Sequence, residues 1–140
     1  MEAVSRGAAE AGAKVIGVVA NSFPGKANRW VQEIIVVKKW EERLLKLIAL
    51  GDGYVACPGS TGTLVELAVA WEMMSKGLLP RKPLVALGEF WRPVVETVQA
   101  AEPGKPMGSG TGRLVQWAES VPAAVQILQR SLSENRSPQD

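Results

Sequence analysis

The chain predicts an α/β fold, a doubly wound parallel sheet with helices on both faces. Three observations predict it. Short apolar runs alternate with longer segments whose apolar residues recur at helical spacing. One of those runs passes through a glycine-rich turn directly into a helix. At 140 residues and 46% hydrophobic, the chain can bury the core of one domain. Strands interleaved with helices place parallel strands side by side, with the crossing helices laid over them.

In order, Glu2–Ala11 is helical and ends at Gly12, and Lys14–Val19 is the first strand. Asn21 to Arg29 is a polar loop holding Pro24 and Gly25. Glu33–Val37 is a strand, and Trp40–Leu50 a helix closed by Gly51. Gly53–Cys57 is short, apolar and glycine-bounded, so it reads as a buried strand. The helix after it carries Leu64, Leu67, Ala68, Trp71 and Met74 and runs up to Lys76-Gly77. Pro83–Leu87 is a strand and Arg92–Ala101 a helix. Pro103 to Gly112 is a linker; its Gly108-Ser109-Gly110-Thr111-Gly112 follows no strand and reads as a flexible loop. Leu114–Trp117 is a short edge strand. Ser120 caps the last helix, with Pro122 at its first position. The domain spans residues 1–132, and 133–140 form a disordered tail. No internal repeat is present.

The chemistry-bearing stretch is Cys57-Pro58-Gly59-Ser60-Thr61-Gly62-Thr63-Leu64-Val65-Glu66. A strand–turn–helix of this kind points the free amides of the first helical turn outward from the strand's carboxyl end. With the helix dipole behind them, they make an anion site. Pro58 fixes the exit angle, and Gly59 and Gly62 let a phosphate approach the backbone. Ser60, Thr61 and Thr63 add hydroxyl donors. Glu66, one turn further on, can act on whatever the phosphate anchors. The plainer reading is a threonine cap and two turn glycines. The loop has no Gly-Lys-Ser/Thr ending and no Gly-x-Gly-x-x-Gly.

Pro58-Gly59-Ser60-Thr61-Gly62-Thr63-Leu64-Val65-Glu66 resembles the Pro-Gly-Gly-x-Gly-Thr-x-x-Glu signature of the LONELY GUY family. Those proteins are nucleoside 5′-monophosphate phosphoribohydrolases that release cytokinin bases, long mislabelled lysine decarboxylases. Glu42-Arg43-Leu44 occupies the place of the family's Arg-Lys pair. Residues 1–12 resemble its next upstream helix, and Val15-Ile16-Gly17-Val18-Val19 the strand after it. The resemblance covers roughly Met1 to Leu132 and implies a Rossmann-like nucleotide-binding domain. Three departures stand out: Ser60 for the second signature glycine, Leu44 for the lysine, and Val65 where many members have an acid. Family members also carry two further strands, a helix and a glycine-rich turn before the segment that starts here at Met1. The expectation is a short member whose first strands are missing, leaving a gap in the sheet that the remaining strands or another chain would close.

The resemblance implies that a nucleoside monophosphate of the AMP type is hydrolysed to free base and ribose 5-phosphate. Arg43 and Glu66 are then the catalytic residues, and Gly59, Ser60, Thr61, Gly62 and Thr63 hold the phosphate. No metal and no organic cofactor is called for. The alternative within the superfamily is a nucleotide-binding or molybdenum-cofactor carrier protein without turnover, with Arg43 and Glu66 forming a plain helix–helix ion pair.

Composition sets the outer bounds. A net charge of +2 with scattered lysines and arginines offers no nucleic-acid stripe. Lys38-Lys39 reads as the start of a solvated helix. The lone cysteine, Cys57, excludes an internal disulfide and favours a reducing, cytoplasmic setting. The absence of histidine removes a histidine triad. No apolar run reaches membrane-spanning length, because Glu66 and Glu72 interrupt the longest one. Five tryptophans read first as packing, with Trp30 and Trp91 placed where they can border a pocket. The signature helix is apolar nearly all round, which predicts a homodimer or larger assembly.

Overall fold

The structure, a computed structural model, describes residues 1–22, 27–101 and 113–134. Pro24 and Gly25 of the polar loop, the linker from Pro103 through Gly112, and the tail from residue 135 onward lie outside the described residues. The chain divides into two compact units, Met1–Leu50 and Gly51–Asp140. All the described strand pairings are parallel, and the strands form two sheets, one in each unit. The α/β class with parallel strands and flanking helices is therefore as the sequence predicts.

In the first unit, α1 (Glu2–Glu10) leads to β1 (Ile16–Ala20), then β2 (Glu33–Val37) and α2 (Trp40–Leu50). β1 and β2 pair from Ile16↔Glu33 to Ala20↔Val37. α1 ends at Gly12, whose φ of 77° lets the amides of Gly12 and Ala13 turn back onto the carbonyls of Ala9 and Ala8. β1 starts later than the expected Lys14. The Val15 amide is taken by the Gln32 side chain at 2.7 Å, so regular pairing begins only at Ile16. α2 packs on both strands and buries Leu44 and Ile48. Its amino end is tied by Glu42 Oε2, which accepts from the Lys38 amide at 3.0 Å.

In the second unit, β3 (Tyr54–Ala56), α3 (Thr61–Ser75), β4 (Leu84–Leu87), α4 (Arg92–Ala101), β5 (Val115–Ala118) and α5 (Val121–Glu134) alternate. Their sheet runs β3-β4-β5, with β5 at an edge as expected. β4 lies in the middle, and Leu84, Val85 and Ala86 are all buried, so both of its faces are covered. Val85 meets Ala118 and Ala124 in the core, flanked by Leu87, Ala123, Ile127 and Leu128, which sets α5 against β4 and β5. α3 ends at Lys76 and Gly77 (φ 71°), with the Gly77 and Leu78 amides bonded back to Met74 and Met73.

Further boundaries differ from the sequence reading: β3 covers Tyr54–Ala56 rather than Gly53–Cys57, and β4 starts at Leu84 rather than Pro83. β5 covers Val115–Ala118 rather than Leu114–Trp117, because its register with β4 extends to Leu87↔Ala118. α5 begins at Val121, so Pro122 is its second residue, still in the turn where a missing N–H costs nothing. The same helix continues through Glu134, with Ser133 Oγ donating to the Gln129 carbonyl at 2.8 Å, so Ser133 and Glu134 are not part of a disordered tail.

Candidate functional site

The signature turn lies wholly within the second unit. β3 pairs with β4 only as far as Ala56↔Ala86, and the chain then leaves the sheet through Cys57, Pro58 and Gly59. Ser60 is the residue preceding α3, with φ −96° and ψ −160°. That is ordinary extended backbone, so a serine stands without strain where the family signature has glycine. Ser60 makes no side-chain cap bond to the helix. The Leu64 amide donates to the Ser60 carbonyl at 3.1 Å, the first rung of the helical ladder. The amides of Thr61, Gly62 and Thr63 precede that rung, at the positive end of the helix dipole.

The two signature glycines have different reasons to be there. A Cβ on Gly59 would strike Thr63 Oγ1 and come within 3.0 Å of Thr63 Cβ, so Gly59 lets the threonine fold over the turn. A Cβ on Gly62 would meet nothing within 4 Å. Gly62 is exposed and helical, with no left-handed φ, so neither packing nor backbone conformation requires glycine there. What remains is open space around the position its Cβ would take. Ser60 and Thr61 are exposed and Thr63 is half-buried. Glu66 is half-buried on the following turn of α3. Backbone donors and hydroxyls thus lie at the amino end of α3, with Glu66 one turn further along the helix.

Arg43 belongs to the first unit, where it is half-buried on α2. Its Nε donates to the Val18 carbonyl of β1 at 3.0 Å, which fixes the plane of the guanidinium. Leu44, the residue that replaces the family's lysine, is 6% exposed and forms part of the core. At this position the chain has a packing residue where the signature calls for a cation.

Trp91, read from the sequence first as packing that could border a pocket, contacts the residue that opens the signature turn. It is 3% exposed, and its indole N–H donates to the Cys57 carbonyl at 2.9 Å, beyond the last β3–β4 pair. The neighbouring Phe90 ring meets it edge-on with centroids 4.8 Å apart. Arg92, next in the chain, stacks on Trp117 at 4.8 Å and binds Glu96 at 2.9 Å. The hydrogen bond and charge of Glu96, with Glu89 behind them, push the Arg92 pKa up. The aromatic pair opening α4 was the visible signal. Its partner, the Cys57 carbonyl, carries no sequence mark.

Of the other tryptophans, Trp40 is exposed on α2, whereas Trp30, Trp71 and Trp117 pack against their neighbours. Trp71 is buried on α3, and its Nε1 has no hydrogen-bond partner among the described residues. It lines a mostly apolar groove of about 260 Å³ with Leu64, Leu67, Ala68, Val94 and Val98, and Glu72 also borders it. Trp30, in the first unit, is half-buried beneath the Arg29 guanidinium at 5.1 Å. Among the described residues, no helix is long and apolar enough to cross a membrane.

Comparison with known proteins agrees with these observations. Residues 1–128 match the model of a family described as possible lysine decarboxylase. The chain is 31% identical over 108 residues to a cytokinin riboside 5′-monophosphate phosphoribohydrolase of Rhodococcoides fascians. That alignment covers 72% of this chain and 53% of the relative, so the chain spans about half the length of the curated protein it matches. In structure it is similar to the molybdenum cofactor carrier protein of Chlamydomonas reinhardtii, with a TM-score of 0.64 and 24% identity. That likeness covers 92% of this chain and 68% of the carrier, and it establishes a shared fold. The chain belongs to the possible lysine decarboxylase family, the group of the LONELY GUY phosphoribohydrolases.

Proposed function

We propose that this chain binds a nucleoside 5′-monophosphate through Gly59–Thr63 and hydrolyses its N-glycosidic bond. The observation that carries this reading is the amino end of α3, where the Ser60 side chain makes no cap bond and a Cβ on Gly62 would meet nothing within 4 Å among the described residues, with Glu66 one turn further on. The phosphate docks on the amides of Thr61, Gly62 and Thr63 and on the hydroxyls beside them, which holds the ribose in register. As the bond between C1′ and the base nitrogen breaks, positive charge develops on the ribose ring. The Glu66 carboxylate stabilises that cation or polarises the attacking water. Water oxygen joins C1′, and its proton leaves with the base, giving free base and ribose 5-phosphate. Arg43, with its guanidinium plane fixed by Val18, supplies a forked donor for phosphate or ribose oxygens. We propose further that the chain acts as a homodimer or larger assembly.

The test is incubation with AMP or an isopentenyl-type AMP, followed by chromatography for free base. Removing the carboxylate charge with Glu66→Gln is expected to cut base release by roughly 10²–10⁴-fold while changing nucleotide affinity little. Base release by wild type that equals the variant's would sink the hydrolase reading. The second reading, a nucleotide or molybdenum-cofactor carrier without turnover, is favoured by Leu44, a core leucine in place of a cation. It predicts that AMP raises Tm and is recovered intact.

A further inference from the structure

We propose that Trp91 is a positioning residue for the phosphate turn, acting through the Cys57 carbonyl; this rests on the nucleotide-binding reading above. The exit of β3 is where the sheet stops controlling the chain. Regular pairing with β4 ends at Ala56↔Ala86, and Pro58 has no N–H to anchor the turn. Between them, the Cys57 carbonyl accepts from Trp91 Nε1 at 2.9 Å. A buried indole, two χ angles from its backbone, is a rigid donor, so the bond sets the direction in which Pro58-Gly59 leaves the sheet.

The segment that carries Trp91 is anchored in turn. At Gly88 the φ of 75° turns the chain sharply after β4. The Gly88 amide donates to the Ala118 carbonyl at 2.8 Å, and its carbonyl accepts from Trp117 Nε1 at 2.9 Å. Arg92 stacks on the same Trp117 ring while paired with Glu96 and Glu89. A continuous set of contacts thus runs from β5 through Gly88 and Trp91 to Cys57. It holds the carboxyl ends of all three strands of this sheet in register with the first turn of α3. Donors preorganised in this way bind a phosphate without reordering the turn.

Trp91→Phe removes the N–H and keeps most of the ring. In the ligand-free protein, amide hydrogen exchange across residues 57–64 is expected to speed up. Val115→Ala, a core truncation in β5, should lower Tm without that local effect. By titration calorimetry, Trp91→Phe should weaken AMP binding about fivefold to tenfold and leave adenosine, which has no phosphate, unchanged. Unaltered exchange across residues 57–64 in Trp91→Phe overturns the inference, whatever the protein binds. Equal losses for AMP and adenosine overturn it too, because they indicate a general structural role. Faster exchange in Trp91→Phe together with no AMP binding by wild type supports the positioning of the turn and sinks the nucleotide-binding reading instead.

Discussion

In the proposed site, function and stability part at a single atom of Gly62. A glycine in a helix costs about 0.5–1 kcal/mol relative to alanine. Nothing within 4 Å would contact an added Cβ, so packing gives no return for that cost. Gly62→Ala is therefore expected to raise unfolding stability by about 0.5–1 kcal/mol and to reduce AMP affinity at least tenfold, because the methyl occupies the phosphate's approach. Thermal melts with and without AMP read both effects. A variant that gains stability and keeps its AMP shift would show that no phosphate comes near this residue. The sequence reads Gly59 and Gly62 alike, as glycines that let a phosphate approach, and only the coordinates tell them apart. Gly59 clears space for Thr63, whereas Gly62 clears space for nothing among the described residues.

Among the elements, β2, α2 and α4 have the bounds that the sequence predicts, since apolar periodicity and flanking residues mark both their ends. β1 and β5 shift by a residue or two because a strand's ends are set by its partner's register, which local sequence does not record. The Trp91–Cys57 bond was illegible for the same kind of reason, joining positions far apart in the chain. α2 shows a further limit of pattern reading. Leu44 aligns with a lysine in the family signature, yet it lies at 6% exposure on the face packed against β1 and β2. Leu44→Lys, the apparent restoration of the signature, should lower stability by about 2–5 kcal/mol, as Leu44→Ala would, because an amine replaces buried methyls. Denaturant unfolding of both variants checks this. A Leu44→Lys protein as stable as wild type and faster in base release would mean that the position serves the site and not the core.

At the scale of the whole molecule, the question is what covers α3. The helix is apolar on nearly every side, and α4 meets it across a groove without closing it. Leu64, Val94 and Val98 remain 37%, 38% and 42% exposed along that groove, an arrangement that a lone chain rarely leaves in water. A second copy presenting the same helix pair would bury these residues in an isologous contact. Light scattering at micromolar concentration should then give about twice the 15.0 kDa chain mass. Val98→Glu adds a charge to the groove's lining and should return the protein to the mass of one chain with its Tm little changed at low concentration. In the proposed site the phosphate turn starts α3, so loss of the dimer should also lower AMP affinity, by loosening the first helical turn. A monodisperse wild-type species near 15.0 kDa refutes the dimer. In that event the apolar groove must be covered in some other way, and the phosphate turn works within a single chain.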